Sequence, residues 1–367
     1  MGLLNYRNPG DNMRLWRVYA NSVLRYGTPK KLWNAVRTEA AYRRRDAFVK
    51  SKPYILFVEP LYYCNLECPL CDRQVFPDAR SGDAGKLSLE VFDRVLDELG
   101  DYLFQCQIFG QGEPLMNWKL TRQIIERSHA RRIFSEVSTN CTLLDEEVAD
   151  EIVDCGLDYL VCAIDGTSQE SYEIYRVGGQ FADAFAGLRR VVEACRRKRS
   201  SLMVEWQFLV HARNEHEVPV ARRMAAELGV PLRLAPLRGM EWDGALQDEW
   251  LPKTGDWAHE FDTTRPLNDF PCYFLWRSLV LNSNSKIARC LIYQNATQYA
   301  DLRRVGAMEA YNDPSVQQAR RLFRREAAAQ QEFPAPCRSC GQFARHHGDR
   351  VIDRNTDMRR QLARSPG

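Results

Sequence analysis

Between residues 54 and 240 short apolar runs alternate with longer amphipathic stretches, and this alternation limits the fold more than any other feature of the chain. Segments 54–58, 106–109, 135–139, 159–164, 202–210 and 232–237 have the length and composition of buried strands. Helical spacing fills the intervals near 88–99, 116–131, 144–155, 168–175, 181–198 and 215–228. Strands that alternate with helices pair in parallel through helical crossovers. Six such units predict an α/β chain built on a partial, open (β/α)6 TIM-like barrel rather than a closed eightfold one. Chemistry in such a fold belongs at the C-terminal ends of the strands.

The flanks read differently. Residues 13–37 mix Leu15, Trp16, Val18, Leu32, Trp33 and Val36 with basic residues, the pattern of one or two amphipathic helices. Residues 1–50 hold eleven Lys and Arg against three Asp and Glu. A basic helical extension packed as a lid on the main domain is preferred here over a membrane-surface helix. The expected division is an extension over 1–50, a barrel core over 51–238, a substrate-side loop over 239–270, a cysteine-bearing module over 271–343 and a polar tail over 344–367. A net charge of +3 on 367 residues gives no global attraction to nucleic acid. No run is long enough for a membrane span, and residues 1–10 lack the apolar core of a signal peptide, so a cytoplasmic protein is expected.

Twelve cysteines are many for a chain expected in a reducing compartment, which points to metal ligation or catalysis rather than disulfides. Cys64, Cys68 and Cys71 are spaced by three and then two residues just after the first predicted strand. Three thiolates on one loop can hold one face of a four-iron cluster and leave its fourth iron open. Zinc with a distant fourth ligand and unligated core cysteines are the alternatives that spacing alone leaves.

Cys-x3-Cys-x2-Cys at this place resembles the signature of the radical S-adenosylmethionine superfamily, and other motifs follow in that family's order. Gly110-Gln-Gly112-Glu113-Pro114 after the second strand resembles its Gly-Gly-Glu motif. There the glycines admit the methionine moiety of S-adenosylmethionine and the carboxylate accepts its ammonium. Ser138-Thr-Asn140-Cys141 after the third strand resembles a Thr-Asn-Gly turn. The fourth strand leads into Ile164-Asp-Gly-Thr-Ser-Gln-Glu-Ser-Tyr-Glu-Ile-Tyr-Arg176, and by the resemblance Arg176 pairs with the cofactor's carboxylate. Two departures stand out: Ala163 replaces a cofactor-contacting Ser, and Cys141 replaces the turn glycine.

Cys272, Cys290, Cys337 and Cys340 form a second set, with a hairpin near 279–290 delivering Cys290. This set resembles the short "twitch" form of the SPASM domain, which implies a second, auxiliary four-iron cluster. A structural zinc on four thiolates is the alternative. Full ligation would make an auxiliary cluster an electron relay or a staple.

By the resemblance, one electron from the first cluster releases a 5′-deoxyadenosyl radical that abstracts hydrogen from carbon. Flavodoxin or ferredoxin is the expected electron donor. Twitch-bearing relatives imply a small, saccharide-like substrate, and the acidic, Trp-rich loop 239–263 suits polyol binding. Redox-neutral epimerisation is the leading expectation, with Cys141 as thiol hydrogen donor. Dehydrogenation, with His211 as base, is the alternative. Peptide maturation is a third reading, lowered because the first fifty residues are short and helical for a leader-binding module.

Overall fold

A computed structural model describes residues 9–75, 85–237, 249–253, 272–291, 294–323 and 337. Six strands, β1 (Ile55–Val58), β2 (Gln105–Ile108), β3 (Phe134–Thr139), β4 (Tyr159–Ala163), β5 (Met203–Val210) and β6 (Leu232–Pro236), lie side by side in chain order. All five pairings are parallel. Each strand end falls within one residue of the sequence expectation. Every residue of β1 and β4 is buried, because helices and loops cover both faces of a parallel sheet, and both therefore read as unbroken apolar runs.

The helices that accompany the strands include α1 (Pro9–Tyr26), α2 (Pro29–Arg44), α3 (Leu89–Leu99), α4 (Trp118–Ala130), α5 (Glu146–Asp154), α6 (Gln169–Tyr175), α7 (Phe181–Lys198) and α8 (Val218–Leu228). Side-chain caps start several of them. Asn117 accepts the Leu120 amide at 3.1 Å, and Asp145 accepts that of Val148 at 2.8 Å. On α3, Val91, Phe92, Val95, Leu96 and Leu99 recur at helical spacing and are buried against the sheet. Truncating the fully buried Phe92 to Ala would cost about 3–5 kcal/mol.

The two flanks hold the differences from expectation. The basic extension is two helices, and the first turns of α2 face polar groups inward: Lys31, Asn34 and Thr38 are buried ahead of Ala41 and Tyr42, while Leu32, Trp33 and Val36 are exposed. The inward groups are satisfied. Lys31 donates to the Arg132 carbonyl, and Asn34 exchanges two 2.9 Å hydrogen bonds with the backbone of Lys52.

The expected hairpin forms from β7 (Ser278–Leu281) and β8 (Lys286–Ala288), and β9 (Gln298–Asp301) extends it. A boundary near 271 does not anticipate where the hairpin goes. β7 pairs in parallel with β1, Ile55 opposite Ser278 through Val58 opposite Leu281. One nine-stranded sheet results, in the order β6-β5-β4-β3-β2-β1-β7-β8-β9. Buried Arg277 anchors α2 to this region through two 2.6 Å bonds to Glu39. Most of the 239–270 loop, Cys340 and the 344–367 tail lie outside the described residues.

Candidate functional site

The chain leaves the C-terminal end of β1 at Glu59 and runs directly into the cysteine loop. Cys64, Cys68 and Cys71 all pack against one apolar cluster that includes Leu66, Leu70, Tyr175 and Trp250. Burial pushes the thiols of Cys64 and Cys68 up from their ordinary range. Donors nevertheless face the sulfurs. The Leu66 amide lies 3.4 Å from Cys64 Sγ, and Arg176 Nη1 lies 3.7 Å from Cys68 Sγ. Among the described residues no three Cys, His, Asp or Glu side chains converge on a single metal-holding point. The donor set itself fits an iron–sulfur cluster: three soft sulfurs from one loop, an apolar surround, and N–H donors aimed at sulfur.

The Gly110–Glu113 loop leaves β2 and lies against the first residues of the cysteine loop. A Cβ on Gly112 would stand 2.1 Å from the Leu61 oxygen, and one on Gly110 would stand 2.6 Å from Cγ of Glu59. Glycine is required at both by close approach. The Glu113 amide donates to the Tyr63 carbonyl at 2.7 Å, which locks the two loops together. Its carboxylate is buried and accepts from the Leu115 amide (3.0 Å), Thr139 Oγ1 (2.7 Å) and the Asn140 amide (2.8 Å). Burial outweighs these bonds and raises the Glu113 pKa. Pro114 follows and starts a short 3-10 turn, Pro114–Asn117.

Asn140 connects the two loops from the end of β3. Its Nδ2 donates to Asn65 Oδ1 at 2.9 Å and lies 4.0 Å from Cys64 Sγ. Cys141 adopts φ 67°, the left-handed turn that glycine usually fills. Its thiol does not face the strand ends. It is wholly buried in the main core, donates to the Thr139 carbonyl at 3.6 Å, and has Cys162 beside it. Burial first, and then Cys162, raise its pKa well above the ordinary value. The hydrogen-donor role expected of Cys141 would therefore have to be played by an enclosed thiol.

Ala163 ends β4, buried and without a polar side chain to offer. Arg176 follows α6 and donates Nε to Asp165 Oδ2 at 2.6 Å, while the Leu209 amide donates to Asp165 Oδ1 at 2.7 Å. His211, just past β5, is also fully buried, between the rings of Tyr175 and Trp250. Burial lowers its pKa to about 4, so the ring is neutral, and Nδ1 accepts the Arg213 amide at 3.3 Å. Nε2 has no hydrogen-bond partner among the described residues. A neutral imidazole is in the form a base needs, and this one is enclosed by its aromatic neighbours.

Of the second cysteine set, Cys272 packs at the junction of two apolar clusters, and Cys337 against the main core. Cys290 follows β8, and Cys340 lies outside the described residues. Two acidic residues escape a motif search. Glu59, buried at the end of β1, accepts from the Gln111 amide (3.2 Å) and from the Ser283 amide and hydroxyl (3.1 and 2.9 Å). It thus joins the glycine loop to the β7–β8 hairpin. Asp165 orients Arg176. The available signal was a carboxylate directly after an apolar strand run. Asn295 adds a further link, donating to Gln111 Oε1 at 2.8 Å.

Residues 58–204, which carry this whole arrangement up to β5, match the family model of the Radical SAM superfamily. Over these residues the chain is similar to that superfamily. Among curated proteins, a PqqA peptide cyclase of Granulibacter bethesdensis is 25% identical over 54% of this chain and 51% of its own length. An Fe-coproporphyrin III synthase of Methanosarcina barkeri is 24% identical over 50% and 44%. The chain spans about half the length of these curated relatives. Streptococcus suis SuiB bound to the precursor peptide SuiA superposes with a TM-score of 0.57 at 15% identity, covering 85% of this chain and 74% of that one. That likeness speaks for the fold.

Proposed function

We propose that this protein holds a four-iron cluster on Cys64, Cys68 and Cys71 and S-adenosylmethionine between Glu113, Asn140 and Arg176. The observation that carries the reading is the buried Glu113 carboxylate, fixed by Thr139 and Asn140 and tied through Asn140 and Asn65 to the cysteine loop. When bound, the two groups supply one-electron chemistry that removes a hydrogen atom from carbon. The chain's residues do the rest. Gly112 lets backbone approach backbone and Gly110 leaves room for the Glu59 side chain, Glu113 offers its remaining lone pair to an ammonium, and Asp165 turns the Arg176 fork toward an incoming carboxylate. Tyr175 and Trp250 shield the sulfurs from water.

For the substrate we infer a peptide, on one observation: a PqqA peptide cyclase and a SuiB–precursor peptide complex both stand among the proteins this chain resembles. A saccharide-like substrate is the second reading, favoured by the composition of loop 239–263. Its epimerisation form relies on the enclosed thiol of Cys141, which favours dehydrogenation with an auxiliary cluster on Cys272, Cys290, Cys337 and Cys340. Anaerobic reconstitution tests the first part. About four irons per chain with release of 5′-deoxyadenosine under reduction supports one cluster, and about eight supports two. Retained cleavage of S-adenosylmethionine in Cys68→Ala would remove the reading. Incubation with the peptide, or with the aminocyclitols, encoded nearest the gene separates the substrate classes by mass shift.

A further inference from the structure

The N-terminal helices are apolar on more than their buried face: Val18 and Tyr26 of α1 and Ala41 and Tyr42 of α2 pack inward, yet further apolar residues point outward. An ordinary surface helix turns its apolar stripe to the core. Here Trp16, Ala20, Val23 and Leu24, at i, i+4, i+7 and i+8 of α1, are exposed, and so are Leu32, Trp33 and Val36 of α2. Exposure is large: Leu24 82%, Trp33 65%, Val36 59% and Trp16 54%. The inward face of α2 is already filled, by the satisfied polar groups of Lys31, Asn34 and Thr38 and by Ala41 and Tyr42 in the core, so the outward stripe is not displaced core. Every exposed residue between 16 and 50 is either apolar or basic. Arg25, Lys30 and Arg44 are compensated by Asp158, Asp101 and Asp46. Arg17, Arg37, Arg43 and Lys50 make no ion pair among the described residues.

We propose that α1 and α2 seat this protein on an anionic lipid surface. Trp, Leu and Val would enter the headgroup boundary while Arg and Lys meet lipid phosphates. Charge complementarity selects this occupant. Positive charge is concentrated in residues 1–50, and the rest of the chain has more Asp and Glu than Lys and Arg. A second copy would bring Arg17 and Arg37 against the same positive face, where residues 16–50 present no exposed acidic side chain to answer them. No described helix is long and apolar enough to cross a membrane, so the attachment is parallel to the surface. This proposal stands apart from the reaction, since none of these residues belongs to the cofactor site.

The test is co-sedimentation of the full chain with vesicles of phosphatidylcholine alone or mixed with phosphatidylglycerol. The expected result is pelleting with the anionic vesicles only, a blue shift in Trp emission, and release at high salt. Leu24→Asp/Trp33→Asp and Arg17→Glu/Arg37→Glu, all at exposed positions, should each weaken binding about tenfold or more with an unchanged melting temperature. Equal binding to neutral vesicles, undiminished pelleting of both double variants, or no pelleting at all overturns the proposal. So does a wild-type dimer in light scattering that Leu24→Asp/Trp33→Asp converts to monomer, because the stripe would then be a self-interface.

Discussion

Replacing Gly112 with Ala would place a methyl group 2.1 Å from the Leu61 oxygen and 2.7 Å from that of Tyr63. Both atoms are backbone, so neither can rotate away. The φ of Gly112 is not in the left-handed region, and the cost is therefore contact alone. Easing the nearer contact to 3.0 Å moves the loop by about 0.9 Å. The next residue is Glu113, whose amide bonds Tyr63 at 2.7 Å and whose carboxylate bonds Thr139 and Asn140 at 2.7 and 2.8 Å. A shift of that size breaks or bends all three. Overpacking of this kind costs about 1–3 kcal/mol of stability, and a misplacement near 1 Å costs about a hundredfold in rate. The assay is 5′-deoxyadenosine release per iron-loaded chain, under reduction, for wild type and Gly112→Ala. Gly306→Ala is the control, because its Cβ meets only the flexible Glu98 carboxylate at 3.3 Å. A Gly112→Ala rate within about twofold of wild type, at equal iron, would refute the reasoning.

Three further outcomes are expected. His211 carries a pKa near 4 when folded against 6.5 when unfolded, so the unfolded chain binds the proton first. Stability present above pH 6.5 is then lost as pH falls toward 4, by about 3 kcal/mol in all. Urea midpoints should show that slope in wild type and not in His211→Asn; equal slopes would show that the ring does not titrate this way. Glu39→Ala strands the buried Arg277 guanidinium, which also lies 4.3 Å over the Tyr42 ring, and should cost about 3–5 kcal/mol in chemical denaturation. A loss under about 1 kcal/mol would mean that solvent reaches Arg277. Cys141→Ala should keep product formation, because the thiol is enclosed. Loss of product, or of solvent deuterium in it, with S-adenosylmethionine cleavage intact would restore Cys141 as a hydrogen donor.

The strands and the motif loops were legible for a simple reason. A parallel strand covered on both faces must be apolar throughout, and ligand spacing on one loop is local in sequence. What stayed hidden depends on distance or on direction. Periodicity locates a helical stripe but does not say which way it faces, and Leu32, Trp33 and Val36 turn outward. Glu39 and Arg277, or Glu59 and Ser283, are separated by more than two hundred residues. Only the sheet order brings them together. Cys141 shows the same limit at one residue: the turn position was correctly placed, but the direction of the thiol follows from a positive φ that the sequence does not state.

The pairing of β1 with β7 has a consequence for synthesis. β1 is finished at Val58, yet the strand that covers its free edge begins at Ser278. At about 5–20 residues per second, roughly 10–45 s of translation separate the two. During that interval Ile55-Leu-Phe-Val58 offers an unpaired, wholly apolar edge to any neighbouring nascent chain. The last-made part of the sheet therefore protects the first, and chains cut short before residue 278 would leave the ribosome with that edge open.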